Sequence, residues 1–565
     1  MKKLSLLILA GAFTMPTFAR ESWPAPTEEA KARTAGFKAH EQEVLKQIQP
    51  ELDAWAKKGK PFFVNARIPS DLPQADVPAF PGAEGAGKFS FGGRGGKIFV
   101  VTNLADSGPG TLREAVESAG PRIVVFNVAG IIHLTKPLFV KAPYLTLCGQ
   151  TAPGDGICVA GESTLIDTHD VIIRYMRFRR GNGDVFDRDD ALGGQPIGNI
   201  IVDHCSCSWG GDENISMYRH IVATNGENAK FPTLNLTLQW NISSEALNPY
   251  NHAFGGTWGG RNTSFHHNLF ANNTARNASI GMTYDFNFIN NVLFNWQHRT
   301  LDGGDKDSAV NCISNYYKPG PRTLDGAVRY RIGMPQPTIT KAEPSPRFGK
   351  WFVAGNIVES NATVTADNWA GGIQFSAGGS KEFPQTDPLA VIQPLVERVR
   401  ADKPFPMSPV KIETAAAAFE SVLAGAGATL PRRDSVDERA ARETKTGVIK
   451  RVAVAEVAQK PMKGLTKNDL GAAGDGIITE VAQVGGYPEY KGEPFKDVGA
   501  DGIPLWWKNK FKLDAKDAAL APKDLQGDGY TVIEKFLYGL DPTKKIDWKN
   551  PASQLNQLTA DNFKK

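Results

Sequence analysis

Cysteine is scarce in this chain of 565 residues. Its five cysteines are Cys148, Cys158, Cys205, Cys207 and Cys312. An odd number leaves at least one thiol unpaired unless it bridges to another chain, so we expect buried thiols and not a framework of disulfides. His204 precedes Cys205, but on a strand its ring points away from both neighbouring cysteines, and no second cysteine pair follows. This arrangement argues against a zinc site.

A surplus of one charge is missing as well. The chain has 64 Lys and Arg residues against 60 Asp and Glu residues, which gives a formal net charge of +4. So weak and dispersed a charge does not support binding of nucleic acid. We therefore expect no nucleic acid partner, and any charge specificity must come from a local cluster.

Long apolar runs are missing beyond the start of the chain. Lys2 and Lys3 precede the apolar run from Leu4 to Phe13, and the segment ending at Ala19 has the small residues of a cleavage site. The run is too short to cross a bilayer. We predict a signal peptide over residues 1–19, a secreted or periplasmic protein, and no membrane insertion.

A short pattern repeated six times dominates the middle of the chain. The repeats begin at Asp170, Asn199, Asn235, Asn262, Asp285 and Asp307. The fourth residue of each repeat is apolar: Ile173, Val202, Leu238, Phe265, Phe288 and Val310. The fifth is mostly polar: Arg174, Asp203, Gln239, His266, Ile289 and Asn311. A period of two is typical of strands, with the fourth residue facing inward. Recurrence at roughly 22 to 36 residues, without a helical pattern between, predicts a single-stranded parallel β-helix.

An asparagine follows two places later in three of the repeats. Asn241, Asn268 and Asn291 suit a corner of the backbone, and their amides are expected to stack between successive coils. A parallel β-helix also offers one long groove along a flank. Such a groove fits an extended polymer.

Changes in composition and in the spacing of apolar residues divide the chain into regions. Residues 20–78 carry apolar residues at helical spacing and predict a helical N-terminal cap over the open end of the solenoid. We assign residues 79–375 to the β-helix and catalytic domain, 376–495 to a C-terminal extension with a helix near Thr414 to Leu423, and 496–565 to a last small module.

The last module resembles a calcium loop in its spacing. Asp524, Gln526 and Asp528 stand at alternate positions, and Gly529 stands at the sharp bend. Lys535 takes the place of the bidentate acid at position twelve. We therefore predict a degenerate, structural turn, and calcium binding there remains the alternative.

Acidic and basic side chains cluster at the borders of consecutive repeats. They are Asp187, Asp189, Asp190, Asp212, Glu213 and Arg276. Successive coils lie about 4.8 Å apart, so like positions converge on one ion or one sugar. Carboxylates without clustered Cys or His suit a hard cation such as Ca²⁺. For Asp187 and Asp189, ordinary solvated loop acids are the alternative.

Several motifs stand in a recognisable order. They include AFPGAEGAG at 79–87, GGRGGKIFVVTNLADSGPGTLREAV at 92–116, DDAL at 189–192, NIIVDHCSCSWGGDE at 199–213 and TWGGRNTSFHHNLFANNTARN at 257–277. Together they resemble the bacterial branch of the pectate lyase family, polysaccharide lyase family one. The resemblance implies a right-handed parallel β-helix and calcium-dependent β-elimination on polygalacturonate, an acidic polysaccharide.

The resemblance also implies roles for single residues. By position, Asp190 and Asp212, with Glu213 beside it, match acids that hold Ca²⁺ in the family. Arg276 matches the arginine that is placed at the C5 proton. A guanidinium normally stays protonated, so Arg276 is either the base or the principal electrostatic stabiliser of the developing negative charge.

The sequence departs from the family at two places. No second arginine follows Arg276, where residues 277–281 read NASIG, and a lysine-bearing loop is shortened at 248–255. Arg261, Arg299 and Lys318 are candidates to bind the substrate in their stead.

These observations predict a secreted, monomeric lyase that cleaves pectate or a related uronate polymer. A carbohydrate-binding β-helix with weakened turnover is one alternative, and a lyase for a different or methylated uronate polymer is another. A glycoside hydrolase that uses Asp189 and Asp190 as its acid pair is disfavoured, because adjacent residues on a strand point to opposite faces.

Overall fold

The computed structural model describes residues 27–182, 189–224, 227–248, 252–340, 345–359, 361–375, 389–449 and 475–563. The predicted signal peptide at 1–19, the first residues of the predicted cap and Asp187 lie outside this part. Among the helices of the described ranges, none is long and apolar enough to cross a membrane.

Three parallel sheets wrap around one apolar core and confirm the predicted β-helix. The coils follow the right-handed sense of parallel crossover connections. The strands of sheet 1 are β1 Lys97–Val101, β2 Arg122–Phe126, β5 Leu145–Cys148, β8 His169–Arg174, β11 Gly198–Asp203, β15 Leu234–Gln239, the second half of β17 Phe254–His266, β20 Asp285–Ile289, β23 Ala309–Ile313 and β26 Lys350–Ala354.

Sheets 2 and 3 complete each coil. The strands of sheet 2 are β3 Gly130–His133, β6 Ile157–Ala160, β9 Arg177–Arg179, β12 Ser206–Ser208, β16 Ile242–Ser244, β18 Leu269–Ala271, β21 Val292–Phe294, β24 Tyr316–Lys318 and β27 Ile357–Val358. The strands of sheet 3 are β4 Leu138–Val140, β7 Thr164–Ile166, β10 Leu192–Gly194, the first half of β17, β19 Ala275–Thr283, β22 Leu301–Gly303 and β25 Gly333–Pro335. A hairpin of β13 Arg219–Thr224 and β14 Glu227–Pro232 projects from this sheet.

The register of sheet 1 follows the repeated pattern with one correction. Ile173, Val202, Leu238 and Phe265 pair in successive strands and are buried in the core, as predicted. In the last repeat, however, Phe288 pairs with Cys312 and not with Val310. The predicted register is therefore shifted by two residues in this strand. Val310 still faces inward, because side chains of a strand alternate with a period of two.

The predicted asparagine stack is confirmed and is longer than expected. The amide of Asn241 donates to Asn268 Oδ1 at 3.1 Å, and the amide of Asn268 donates to Asn291 Oδ1 at 2.9 Å. The same bonds continue through Asn315, Asn356 and Asn368. All five cysteines are free and buried, as expected.

Helix α1 (Glu28–Ala56) lies beside the solenoid and not over its end. Thr27 caps its first turn, and Val44, Ile48 and Leu52 pack against Ala119 and Ala142. The first coil is covered instead by the short helix α2 (Leu112–Val116). Its apolar residues join the main core. The predicted capping role therefore belongs to α2, and α1 has another place.

Further α-helices follow the last coils within the described ranges. They are α3 Ala362–Ala366, α4 Leu389–Val399, α5 Ala415–Gly425, α6 Ser435–Thr446, α7 Leu505–Lys510 and α8 Val532–Leu537. Helix α5 begins after the N-cap Thr414, close to the predicted start. The last module packs Ile533 and Tyr538 against sheet 1 residues such as Val125 and Ile172. It covers a flank of the solenoid.

In the calcium-like loop of this module, the ammonium of Lys535 takes the place of a cation. Lys535 Nζ donates to Asp528 Oδ2 at 2.7 Å and to the carbonyl oxygen of Lys544 at 2.9 Å, and both charged side chains are buried. The carboxylate of Asp524 accepts backbone N–H groups of the loop, including that of Gly529 at 2.8 Å. The Lys535 ammonium thus neutralises Asp528, which agrees with a structural turn.

Replacing Lys535 by glutamate should create a calcium site in this loop. The change removes the tethered ammonium and supplies the missing acid at position twelve. We expect isothermal titration calorimetry to show one more bound Ca²⁺ per chain for Lys535→Glu than for the unchanged protein. Lys544→Glu, the same change on an exposed side chain, is the control. An equal count in both variants would contradict the assignment of Lys535.

Candidate active site

A row of outward-facing side chains on sheet 3 forms the floor of a groove along the solenoid. Their neighbours in sequence, such as Leu192, Ile215 and Trp258, point into the core. The register of successive coils places these residues in the row: Phe139, Leu165, Gly193, Ser216, Thr257, Ser279 and Asp302. The floor is apolar at its early end and polar from Ser216 onward.

Three predicted acids converge at this groove. Asp190 stands directly before β10, and Asp212 and Glu213 stand before Ile215, which bridges to Leu192 on the adjacent coil. Their carboxylate oxygens lie within 4.8 Å of one another. Stacking of neighbouring coils therefore brings together residues that are more than twenty positions apart in sequence, as predicted.

The acids repel each other in the absence of a cation. Burial, followed by the charges of Glu213, Asp212 and Asp189, raises the pKa of Asp190 well above its usual range. Its Oδ1 accepts the backbone N–H of Glu213 at 3.3 Å. Gly193 leaves room for this carboxylate, because a Cβ at that position would stand 2.5 Å from Asp190 Oδ2. A bound cation would remove the repulsion.

Arg276 lies on a later coil, and its side chain extends to the acids. It stands at the start of β19 with φ of 52°, in the left-handed region that is uncommon for residues other than glycine. Its Nη1 contacts Glu213 Oε1, and its Cζ lies 4.3 Å from the ring centre of Phe254. Burial alone would lower the pKa of Arg276, but the charges of Glu213 and Asp212 outweigh it and raise the pKa.

Glu213 is fixed by hydroxyl groups of the groove floor. Its Oε2 accepts a hydrogen bond from Ser216 Oγ at 2.7 Å, and its Oε1 accepts one from Thr257 Oγ1 at 2.6 Å. The buried carboxylate thus holds the guanidinium of Arg276 in place, while about a third of that arginine's side chain stays exposed to the groove. Neither hydroxyl group could be predicted from the sequence, because their places in the site depend on the strand register.

His252 is a further residue that the sequence did not reveal. Its Nδ1 lies 2.5 Å from Asp212 Oδ1, and its ring lies 4.0 Å from that of Phe254. The backbone N–H of Phe254 donates to the carbonyl oxygen of Asp212 at 3.0 Å, which brings this segment onto the cluster. His252 lies in the shortened loop, and a lone histidine in a loop is a weak sequence signal.

The other predicted residues are placed differently. Arg299 stands on the coil after Arg276 at the equivalent position, because Ser279 pairs with Asp302, and its Nη1 lies 3.3 Å from Asp302 Oδ2. Asp189 points to Arg180, with Oδ2 and Nη2 2.9 Å apart. Arg299 therefore remains a candidate to bind substrate, and Asp189 takes a structural contact.

Arg261 and Lys318 are not brought to the cluster. Arg261 starts the part of β17 that belongs to sheet 1, beside Tyr284. Lys318 lies on sheet 2, where its Nζ stands 3.0 Å from Glu359 Oε1 and donates to the carbonyl oxygen of Lys445. The prediction that both bind substrate there is corrected by these positions.

Curated proteins resemble the chain over most of its length. "Probable pectate lyase C" of Aspergillus fumigatus is 32% identical over 495 residues, which cover 86% of this chain and 99% of that protein. The protein of Aspergillus flavus with the same name is 42% identical over 252 residues, which cover 43% of this chain and 55% of that protein. The chain thus spans about half of the second relative and nearly all of the first. These two relatives are fungal and give no support to the predicted bacterial branch.

Other comparisons add less. A scan against models of protein families finds no match. Among solved structures, the cedar pollen allergen Jun a 1 is 17% identical, with a TM-score of 0.41, over 61% of this chain and 92% of that chain. A pectate lyase of Bacillus in complex with trigalacturonate has a TM-score of 0.36 and 14% identity, over 61% of this chain and 98% of that chain.

Proposed function

Because this chain belongs to the pectate lyase family, we propose that it cleaves pectate or a related uronate polymer by calcium-assisted β-elimination. The single observation that carries the proposal is the contact between Arg276 and Glu213 beside the acids Asp190 and Asp212, on the floor of an open groove. Unsaturated oligogalacturonides are the expected products.

The donor set of the cluster fits Ca²⁺. Asp190, Asp212 and Glu213 offer hard carboxylate oxygens, and burial together with the charges of its acidic neighbours raises the pKa of Asp190. When bound, the ion would neutralise the uronate carboxylate and acidify the neighbouring C5–H bond. Gly193 leaves the space that the Asp190 carboxylate needs.

Arg276 has the central role among the residues of the chain. In β-elimination a proton leaves C5, the C4–O4 bond breaks, a C4=C5 double bond forms and the leaving oxygen takes up a proton. The guanidinium of Arg276 faces the groove beside the acids, where it can take the C5 proton or stabilise the developing negative charge. Glu213, Ser216 and Thr257 hold that guanidinium in position.

Arg299 would bind the next uronate carboxylate along the groove. It stands one coil beyond Arg276 at the equivalent position, and about a third of its side chain is exposed. The N-terminal sequence supports secretion to the periplasm or the medium, where pectate is accessible. We propose that the enzyme acts there as a monomer.

Calcium should be required for turnover. The purified protein with Ca²⁺ and polygalacturonate should give the ultraviolet absorbance of a conjugated double bond, which a hydrolase cannot produce. We expect a chelator to abolish this signal and added Ca²⁺ to restore it.

Two variants make this test specific to the cluster. Asp190→Asn should raise the calcium concentration that is needed for half-maximal rate, whereas Asp189→Asn, whose carboxylate faces Arg180, should not. A rate that is insensitive to chelator would overturn the calcium assignment. Binding of polygalacturonate without any absorbance change would favour the carbohydrate-binding alternative.

A further inference from the structure

Helix α1 stands at the early end of the groove. Beside the carboxylate cluster lies a cavity of about 320 Å³. Asp190, Asp212 and Glu213 line one side of it, and Glu41 and Phe139 line the other. Glu41 belongs to α1, so the helix that was expected over the end of the solenoid forms a wall of the groove.

Polar contacts tie α1 to the early coils. Lys141 Nζ contacts Glu41 Oε1 and lies 2.5 Å from Asp167 Oδ2. His40 Nε2 lies 3.1 Å from Glu117 Oε1. These contacts join the middle of α1 to Lys141, which follows β4, and to Glu117, which follows α2.

The covered coils are unsuited to a uronate polymer. Phe139 on β4 is only 4% exposed, and Leu165 on β7 is the next residue of the floor. The carboxylates of Glu41 and Asp167 outnumber the one ammonium of Lys141. An apolar floor offers a uronate carboxylate no hydrogen-bond donor, and Lys141 is already paired with Glu41 and Asp167.

The guanidinium of Arg276 reaches back to Glu213, which stands beside Ser216, so the coils of Gly193 and Ser216 lie between the covered part and the reacting group. Between Leu165 and Ser279 the floor residues are Gly193, Ser216 and Thr257, one for each coil. One coil rises about 4.8 Å, which is close to the length of one pyranose residue in an extended polymer, so about two sugars fit between the covered part and the guanidinium.

From this geometry we propose that α1 closes the groove and fixes the length of the product. The inference rests on the lyase function proposed above. Each cleavage releases a segment of about two uronate residues from one end of the polymer, because a longer segment would collide with the helix. Glu41 is the residue that faces the end of the bound chain.

Product analysis tests the proposal on the unchanged protein. Chromatography of early products from polygalacturonate should show one dominant short oligomer, and the viscosity should fall slowly for each bond that is broken. Long products of mixed size with a rapid loss of viscosity, in the presence of the lyase absorbance, would overturn the inference and leave the function intact. A protein without the absorbance would overturn the function and the inference together.

Variants of α1 test whether the helix limits the length of the product. Glu41→Ala shortens the side chain at the wall, and Glu41→Lys also breaks the contact with Lys141 and attracts the polymer. Both should shift the early products to longer oligomers, Glu41→Lys more strongly. Glu43→Lys, on an exposed position of the same helix, should leave the product length unchanged. Identical products from all three variants would overturn the assignment of α1, and melting temperatures establish that each variant is folded.

Discussion

Replacing Arg276 by alanine should lower the turnover number on polygalacturonate at least about a hundredfold, since removal of one preorganised charge at the reacting carbon typically costs a few kcal/mol of transition-state stabilisation. The melting temperature should hardly change, because the side chain is partly exposed and its removal leaves Glu213 bonded to Ser216 and Thr257. The initial rate of double-bond formation at saturating calcium is the measurement.

Two further variants delimit the role of Arg276. Arg276→Lys should recover little of the rate, because an ammonium lacks the planar fork of a guanidinium. Arg432→Ala, the loss of an exposed surface arginine, should keep the full rate. Near-normal turnover of Arg276→Ala would show that another group stabilises the developing charge.

Replacing Asp203 by alanine should lower the free energy of unfolding by about 3–5 kcal/mol, because the change leaves the charge of Arg174 buried without a partner. Asp203 lies at the outer face of sheet 1 and is fully buried. Its carboxylate accepts hydrogen bonds from Arg174 Nε and Gln239 Nε2, and its Oδ1 lies close to His204 Nδ1, each at 2.7 Å.

Acid should weaken the same network. Burial would raise the pKa of Asp203, but His204 and Arg174 outweigh it and hold the pKa well below its usual range. A carboxyl with a depressed pKa stabilises the fold above its unfolded pKa, and the stabilisation is lost as the pH falls through the folded value. Urea unfolding at neutral and acidic pH should therefore show a smaller difference between Asp203→Ala and the unchanged protein in acid.

A matched surface variant separates burial from charge. Asp155→Ala breaks an exposed ion pair with Arg432, and it should cost less than about 1 kcal/mol. Equal losses for Asp203→Ala and Asp155→Ala would mean that the buried network adds nothing to stability.

The repeated pattern determined much of the fold, because the period of two and the asparagine positions fix which residues face the core. The convergence of Asp190, Asp212 and Glu213 followed from the same reasoning, since coils stack at a constant spacing. The position of Lys318 could not be derived in this way. Each coil has three sheets, and the sequence does not show that this lysine belongs to a sheet away from the groove.

The packing position of α1 could not be predicted from the sequence either. Its amphipathic pattern predicts a helix that packs on something apolar, but Ala119 and Ala142, its partners, are too small to stand out in a sequence. Likewise the hydroxyl groups of Ser216 and Thr257 became part of the site only through the register of sheet 3. Long-range packing decided these features, and local patterns do not encode it.

A segment before the first strand and the last module meet on the middle of sheet 1. The guanidinium of Arg174 lies 3.7 Å from the ring of Phe80 and 5.6 Å from that of Tyr538. The backbone N–H of Gly82 donates to the carbonyl oxygen of Gln554 at 2.6 Å. A solenoid whose coils touch only their neighbours can fray from its ends one coil at a time. Here the segment around Phe80 and the last module contact each other across the central coils. These contacts must break before the coils can unfold one by one, so we expect unfolding to be cooperative.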